Sequence, residues 1–457
     1  MENQIYSKKL QILYLLSSVI PEAIFEHIIG PLYPYIVRHL LPNEPETNIG
    51  FYTGLLGSAV NLPLLVMNLV WGKFSDMYGR KPVLVIGLVG SCIISIWLGL
   101  SESYTVTLLS RLASGLFFSN ATVAKGMIGD IVRDQKTRTW GYSMYGAVYG
   151  ISGIVGPFIG GFLSNPTVLY PTVFPKEGFF GRYPYLLTCI TAAIISAIGL
   201  FITIFLLKEN HTEIQLDQEN IGLIDLNQQE DLKITNVLEQ IDLNDTTMSI
   251  TIEHINQESN EFDFKSWKTL SPIFLYCTLT LTNQIYFTSL TLFFSAPTSH
   301  FGLGMSSKQT ALSFTFLSIS SISVQLYFFK PLMAYFGSCK KSYQAALICI
   351  LPMQLAILFL PLLSSHLQLI GIAMMMSLGG MAESLGYLSV MMLITESQHP
   401  DNLGLTHGYA STLAALAKTF GPGLSGFMWQ YGVRIGWPWL VFFMASSVAL
   451  IGIIAAD

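Results

Sequence analysis

The stretch Trp71-Gly72-Lys73-Phe74-Ser75-Asp76-Met77-Tyr78-Gly79-Arg80-Lys81-Pro82 sets one acid and three bases between two long apolar runs. So short a polar segment turns the chain back on itself, so it reads as the hairpin between two helices. Gly72 and Gly79 are expected where the backbone turns or nears a neighbour, and Pro82 suits the first turn of the second helix. Lys73, Arg80 and Lys81 place this hairpin in the cytoplasm, because basic residues accumulate on that side of a membrane.

The rest of the chain fits a membrane setting. Of its 457 residues, 51% are hydrophobic and 11% charged, against roughly 25% charged in an ordinary soluble domain. Apolar runs lie near 10–37, 51–71, 83–101, 105–132, 139–164, 183–207, 269–297, 309–336, 343–363, 367–395, 403–430 and 437–456. A spanning helix needs about 20 such residues, so an all-α integral membrane protein of twelve helices is expected. Its units would be a tail over 1–9, a six-helix half over 10–207, a linker over 208–268 and a second six-helix half over 269–457.

The linker holds 14 acidic and 4 basic residues and no aromatic between 210 and 261. Such a composition reads as a disordered, solvated tether. With both termini in the cytoplasm, fifteen basic residues fall in inner loops and tails, five in outer loops and three within helices. That bias supports the orientation. The sequons Asn210-His211-Thr212 and Asn244-Asp245-Thr246 would then remain unglycosylated.

Five scattered cysteines form neither a disulfide framework nor a metal site, and no histidine-rich loop suggests zinc. No phosphate loop or nucleophile motif points to an enzyme. No cofactor, metal or nucleic-acid partner is expected; the partners would be the bilayer, a small solute and protons, with the chain acting as a monomer.

The hairpin pattern G-K-x-S-D-x-x-G-R-K-P resembles the signature loop between helices 2 and 3 of the major facilitator superfamily. In the fifth run, Gly150-Ile151-Ser152-Gly153-Ile154-Val155-Gly156-Pro157-Phe158-Ile159-Gly160-Gly161 resembles the antiporter signature of that superfamily, with Ser152 where a glycine is usual. Small residues four apart let helices approach, and Pro157 bends its helix. Lys418-Thr419-Phe420-Gly421-Pro422-Gly423-Leu424-Ser425-Gly426 repeats the theme in the eleventh run, with Gly421-Pro422 again followed by a small pair, Ser425-Gly426, as Gly156-Pro157 is by Gly160-Gly161. Lys330-Pro331 through Gly337 to Lys340-Lys341 looks like a copy of the opening hairpin without its aspartate. The chain is most similar to the drug:proton antiporter branch, and within it to fungal and plant multidrug-type and zinc-induced-facilitator-like proteins. Pro21-Glu22, Tyr33-Pro34-Tyr35-Ile36 and Ala417-Lys418 carry that finer likeness.

Ionisable groups at membrane depth are costly and mark functional candidates. Arg111 shares a helix face with Gly115, and this pair resembles the helix 4 motif associated with proton handling. Its guanidinium, always charged, would hold a carboxylate or another anion. Glu22 and Glu26 lie one turn apart on helix 1, where two acids cannot both be charged cheaply. His27 beside them is expected to pack and hydrogen-bond. Glu383 and Lys418, both near mid-span, are expected to pair with each other, and Lys125 to snorkel to the interface. The resemblance implies a cytoplasmic gate in which Asp76, Arg80 and Asp130 join helices 2, 3 and 4, with Gly72 and Gly79 shaping the hairpin. It also implies a rocker-switch, proton-coupled antiporter that exports small molecules across a plasma or vacuolar-type membrane. A non-transporting receptor on the same scaffold, a uniporter and a symporter stand as alternatives.

Overall fold

The computed structural model describes residues 2–132, 135–209, 267–397 and 403–456. The linker's 210–266, with both sequons, lies outside the described residues, and so does the side chain of Asp76. Twelve helical rods are described. Helix 1 is segmented as Glu2–Leu16, Ile20–Ile29, Gly30–Leu32 and Tyr33–Leu40; helix 2 as Glu46–Ala59 and Asn61–Tyr78. Helix 3 is Arg80–Gly99, helix 4 Tyr104–Phe117 plus Asn120–Ile131, helix 5 Gln135–Leu163 and helix 6 Leu186–Phe205. In the second half, helix 7 is Trp267–Ser295, helix 8 Ser307–Ser323 continuing through Val324–Phe328 to Phe329–Phe336, and helix 9 Cys339–Ala356 extended by Ile357–Leu362. Helices 10, 11 and 12 are Ser365–Glu396, Leu403–Arg434 and Leu440–Ala455.

Eight of these spans are by themselves long and apolar enough to cross a membrane. Helix 4 is broken, helix 12 is 16 residues long, and helices 7 and 11 carry polar side chains that look inward. The apolar cores of the halves are separate. Ile12, Leu15, Val123, Met127 and Ile128 pack together in the first, and Phe293, Phe294, Phe314, Trp429 and Phe442 in the second.

The opening hairpin is tighter than its sequence implies, since helix 2 runs to Tyr78 and helix 3 begins at Arg80. Gly79 alone makes the turn, at φ +95°, a region that side chains with a Cβ rarely enter. Between helices 8 and 9 the turn is Gly337-Ser338, with Gly337 at φ +73°. Gly72, by contrast, lies inside helix 2 and meets nothing within 4 Å, so it is neither a turn residue nor a close-approach site in this state.

The halves meet along two helix pairs. Between helices 2 and 11, a Cβ at Gly57 would lie 2.9 Å from Pro422 Cβ, and one at Gly50 would lie 2.6 Å from the Trp429 ring. Gly54 abuts the Pro422 carbonyl. The Gly423 amide donates to Ser58 Oγ at 3.0 Å, while Gln430 and Arg434 both donate to Asn48 Oδ1 at 2.8 Å. Between helices 5 and 8, Gly153 faces Ser318 and Gly161 faces Ala311, and Ser164 bonds Ser307 at 3.0 Å. Tyr35 Oη reaches across to Thr310 and to the Met305 carbonyl, each at 2.7 Å.

These contacts begin on the face remote from the termini and reach mid-depth, where Asn61 donates to the Lys418 carbonyl at 3.3 Å and Gly150 meets Ile322. Nearer the termini, Gly72 and Gly146 look into open space. The molecule is therefore closed on the far face and open on the face that carries both chain ends.

Because Gly54 admits the Pro422 carbonyl, Gly54→Leu is expected to pry the far face open. A thiol reagent restricted to that face should label Asn48→Cys faster by about ten-fold or more in the Gly54→Leu background. Equal labelling rates would show that this contact does not hold the face shut.

Candidate functional site

Helix 1 positions the acids. Its regular hydrogen bonding lapses over Ser17-Ser18-Val19, where Ser17 and Ser18 turn their hydroxyls onto the Tyr14 and Leu15 carbonyls at 2.6 and 2.7 Å. The next segment then carries Glu22, Glu26 and His27. His27 Nδ1 bonds the Ala23 carbonyl at 2.7 Å, in keeping with a packing role.

Helix 4 is discontinuous, which its long apolar run does not announce. The first segment stops at Phe117 and a second begins at Asn120, after Phe118 leaves helical geometry at φ −80°, ψ 65°. Asn120 Nδ2 donates to the Ser18 and Leu84 carbonyls at 3.2 and 3.4 Å, tying the break to helices 1 and 3. The N-terminus of the second segment presents the Ala121 N–H to Glu22 Oε2 at 3.4 Å. Helix N-termini attract negative charge, and broken transmembrane helices use this end to hold anionic groups. The only sequence signal was Ser119-Asn120, a capping pair in the middle of an apolar run.

Arg111 reaches Glu26. Its Nη2 donates to both carboxylate oxygens, at 2.8 and 3.0 Å, and the guanidinium lies 5.7 Å from the Phe25 ring centre and 5.5 Å from that of Tyr33. The Arg111 side chain is 0% exposed, whereas Glu26 is 35% exposed. The arginine is thus sealed and the glutamate opens to the cavity. Gly115 serves packing: it meets the Val60 carbonyl and Pro63 at the joint of helix 2.

Two lysines complete this cluster, and both differ from expectation. Lys125 does not snorkel outward; its ammonium sits 5.2 Å above the Tyr145 ring, in electrostatic contact with Glu22 and Lys418. Lys418 does not pair with Glu383. It extends from helix 11 toward Glu26 and Glu22 of the opposite half. Both lysines are open to solvent, and their electrostatic contacts with each other and with the helix 1 acids place them between the two halves. Glu383 is half-buried on helix 10, in electrostatic contact with Tyr387.

On the terminal face, Arg80 Nε pairs with Asp130 while that face is open. The hairpin has further partners that the sequence did not reveal. The Glu209 carboxylate accepts the Arg80 and Lys81 N–H groups at 3.3 and 2.8 Å, capping helix 3, and Lys81 Nζ donates to the Ile204 and Leu207 carbonyls at 2.8 and 2.7 Å, capping helix 6. The motif of helix 5 has two working faces. Gly156 and Gly160 press on His27 and Ile28 of helix 1, while Gly153 and Gly161 press on helix 8. Helix 11 copies this arrangement, with Gly421 against Gln284 of helix 7 and Pro422 and Gly426 against helix 2. Among the described residues no cluster of His, Cys, Asp and Glu could hold a metal ion.

Comparison with known proteins agrees with this geometry. The family description Major Facilitator Superfamily matches residues 15–422. Zinc induced facilitator 1 of Arabidopsis thaliana is 26% identical over 443 residues, covering 93% of this chain and 87% of that protein. The major facilitator superfamily multidrug transporter mfsB of Aspergillus fumigatus is 22% identical, covering 93% and 79%. The crystal structure of the human organic anion transporter MFSD10 (TETRAN) shares the fold, with a TM-score of 0.60 at 16% identity over 99% of both chains. Twelve helices in two mirrored halves, a glycine hairpin and a match over most of the sequence converge: the chain belongs to the Major Facilitator Superfamily and is a membrane transporter.

Proposed function

We propose that the protein is a proton-coupled antiporter that exports a small organic solute by rocking its two halves, with both termini in the cytoplasm of a plasma or vacuolar-type membrane. The observation that carries this reading is the unequal treatment of the two acids on helix 1. Glu26 is paired with the buried Arg111 guanidinium, whereas Glu22 accepts a backbone amide hydrogen bond and is in electrostatic contact with Glu26, Lys125 and Lys418. Glu22 is the proton acceptor in this reading, and the Arg111–Glu26 pair fixes helix 1 against helix 4 beside it. The cavity's opening toward the terminal face supports loading from the cytoplasm. The similarity to a multidrug transporter supports export.

The test uses proteoliposomes holding the full chain, an inward proton gradient and an internal pH dye, with a panel of candidate solutes. A solute transported by the wild type should release protons into the lumen. Glu22→Gln should abolish that release while retaining solute exchange without a gradient. Arg111→Ala should lose both, since breaking a buried pair costs about 3–5 kcal/mol, and Arg111→Ala with Glu26→Gln should recover part of the thermal stability. Gradient-driven proton release by Glu22→Gln at the wild-type rate would remove Glu22 from the mechanism.

The hairpin cluster gives a second expectation. Asp76→Asn and Asp130→Asn should each favour opening on the terminal face and cut turnover several-fold without preventing solute binding. Unchanged turnover in both variants would show that the cluster is no gate.

A further inference from the structure

Tyr33 lies between the buried charge of Arg111 and the seam that shuts the far face. It opens the helical segment Tyr33–Leu40, after the short turn Gly30–Leu32 that joins it to the segment carrying Glu26. Its ring centre is 5.5 Å from the guanidinium. That contact matters because Nη2 alone is bonded to Glu26, while the buried Nε and Nη1 have no hydrogen-bond partner among the described residues. The remaining attraction comes from the Phe25 and Tyr33 rings.

The same ring reaches helix 2. Tyr33 Cε2 is 3.9 Å from where a Cβ on Gly57 would sit, and that Cβ would lie 2.9 Å from Pro422 Cβ. Ring edge and proline therefore flank one point on helix 2, and the absence of a side chain there lets both approach. Leu56 and Val60, on either side of Gly57, share a buried core with Tyr33. In a close-packed core a shift of the ring is passed on to helix 2 rather than absorbed. Pro422 and Lys418 lie one turn apart on helix 11, and Lys418 is in electrostatic contact with Glu26. The charge pair thus meets helix 11 twice, by contact through Tyr33 and Gly57 and by charge through Lys418.

We infer that Tyr33 is a positioning residue that links the Arg111–Glu26 pair to the seam between helices 2 and 11, so that the state of the pair biases closure of the far face. Glu26 holds the guanidinium, the guanidinium holds the ring, and the ring keeps Gly57 where it receives Pro422. When the pair loosens, the ring loses the partner that fixes it and the seam is weakened. The link shifts an equilibrium between shut and open rather than opening the face outright. It rests on the rocking motion of the proposed function, not on which acid carries the proton.

The test is a double-substitution cycle on the full chain in proteoliposomes, followed by the rate at which a thiol reagent restricted to the far face labels Asn48→Cys. Glu26→Gln removes the charge while keeping an oxygen acceptor for Nη2. It should raise the rate about five-fold with Tyr33 in place, and equally with Tyr33→Phe, which retains the ring. With Tyr33→Leu the rate should already be raised, though below that of Gly54→Leu, and Glu26→Gln should add less than about two-fold. A ring needed for packing alone would instead give independent, multiplying effects. The proposal is overturned by an equal response to Glu26→Gln with Tyr33→Leu, by no response with Tyr33 intact, or by a response lost in Tyr33→Phe. If Tyr33→Leu does not fold, Tyr33→Met, bulky but without a π face, takes its place in the cycle. Proton release by Glu22→Gln at the wild-type rate beside a coupled labelling cycle would sink the antiport reading and leave the Tyr33 link standing; abolished release beside an uncoupled cycle would sink the link alone.

Discussion

The Arg111 guanidinium is fully buried, and the rest of the cavity is arranged around that charge. A lone charge at this depth costs several kcal/mol even after relaxation. Glu26 supplies the opposite charge through two hydrogen bonds, and the Phe25 and Tyr33 rings supply π faces. To deliver Glu26 there, helix 1 interrupts its hydrogen bonding below Glu22. To bring Arg111 to the same level, helix 4 packs Gly115 against the helix 2 joint, and its break lies just below. The breaks in helices 1 and 4 are held to each other by Asn120, so the irregular backbone is satisfied where it lines protein rather than lipid.

Backbone symmetry and chemical asymmetry coexist. Gly79 and Gly337 make matching hairpins, and helices 5 and 11 use matching Gly-Pro segments to touch one helix of their own half and one of the other. These positions set how closely two backbones approach, which any repeat of the fold must solve alike. The charged residues solve no such shared problem. Arg111 on helix 4 is paired with Glu26, while Glu383 on helix 10 of the second half is in electrostatic contact with Tyr387. A rocking motion needs the first kind of symmetry, and a directional coupling needs the second to be broken.

Much of the architecture was legible in the sequence because it rests on local rules. Apolar runs of sufficient length, basic hairpins and Gly-Pro spacing each specify their own neighbourhood, and the twelve spans and the hairpin at Gly79 followed from them. The residues of the cavity were legible as a set, since any ionisable group in an apolar run stands out. Their partners were not. Lys418 and Glu383 share a depth, which made them plausible companions, but helical rotation turns Lys418 toward helix 1. Position along a helix gives depth and face, and only the packing of helices decides which face meets which. Glu209 was hidden for a related reason: at the edge of an acidic linker it looked like one solvated charge among many, yet it caps helix 3.

The Arg80–Asp130 pair sharpens what the hairpin does. It is formed here although the terminal face is open, so it does not by itself report closure. Arg80, Asp130, Lys81 and Glu209 bind helices 3, 4 and 6 into one unit, all within the first half. The proposed rocking motion would leave such bonds intact, because they join elements that would move together. In the proposed gate this unit, Asp130 included, closes against what approaches it from the second half, and the hairpin at Gly337, with Lys340 and Lys341, is basic and has no aspartate to mirror Asp76. Closure on this face therefore brings dissimilar surfaces together, while opening on the far face separates glycine-lined contacts such as Gly54 against Pro422. The two ends of the transport path are held by different physics, charge on one side and close backbone packing on the other, so salt and pH act on the first far more than on the second.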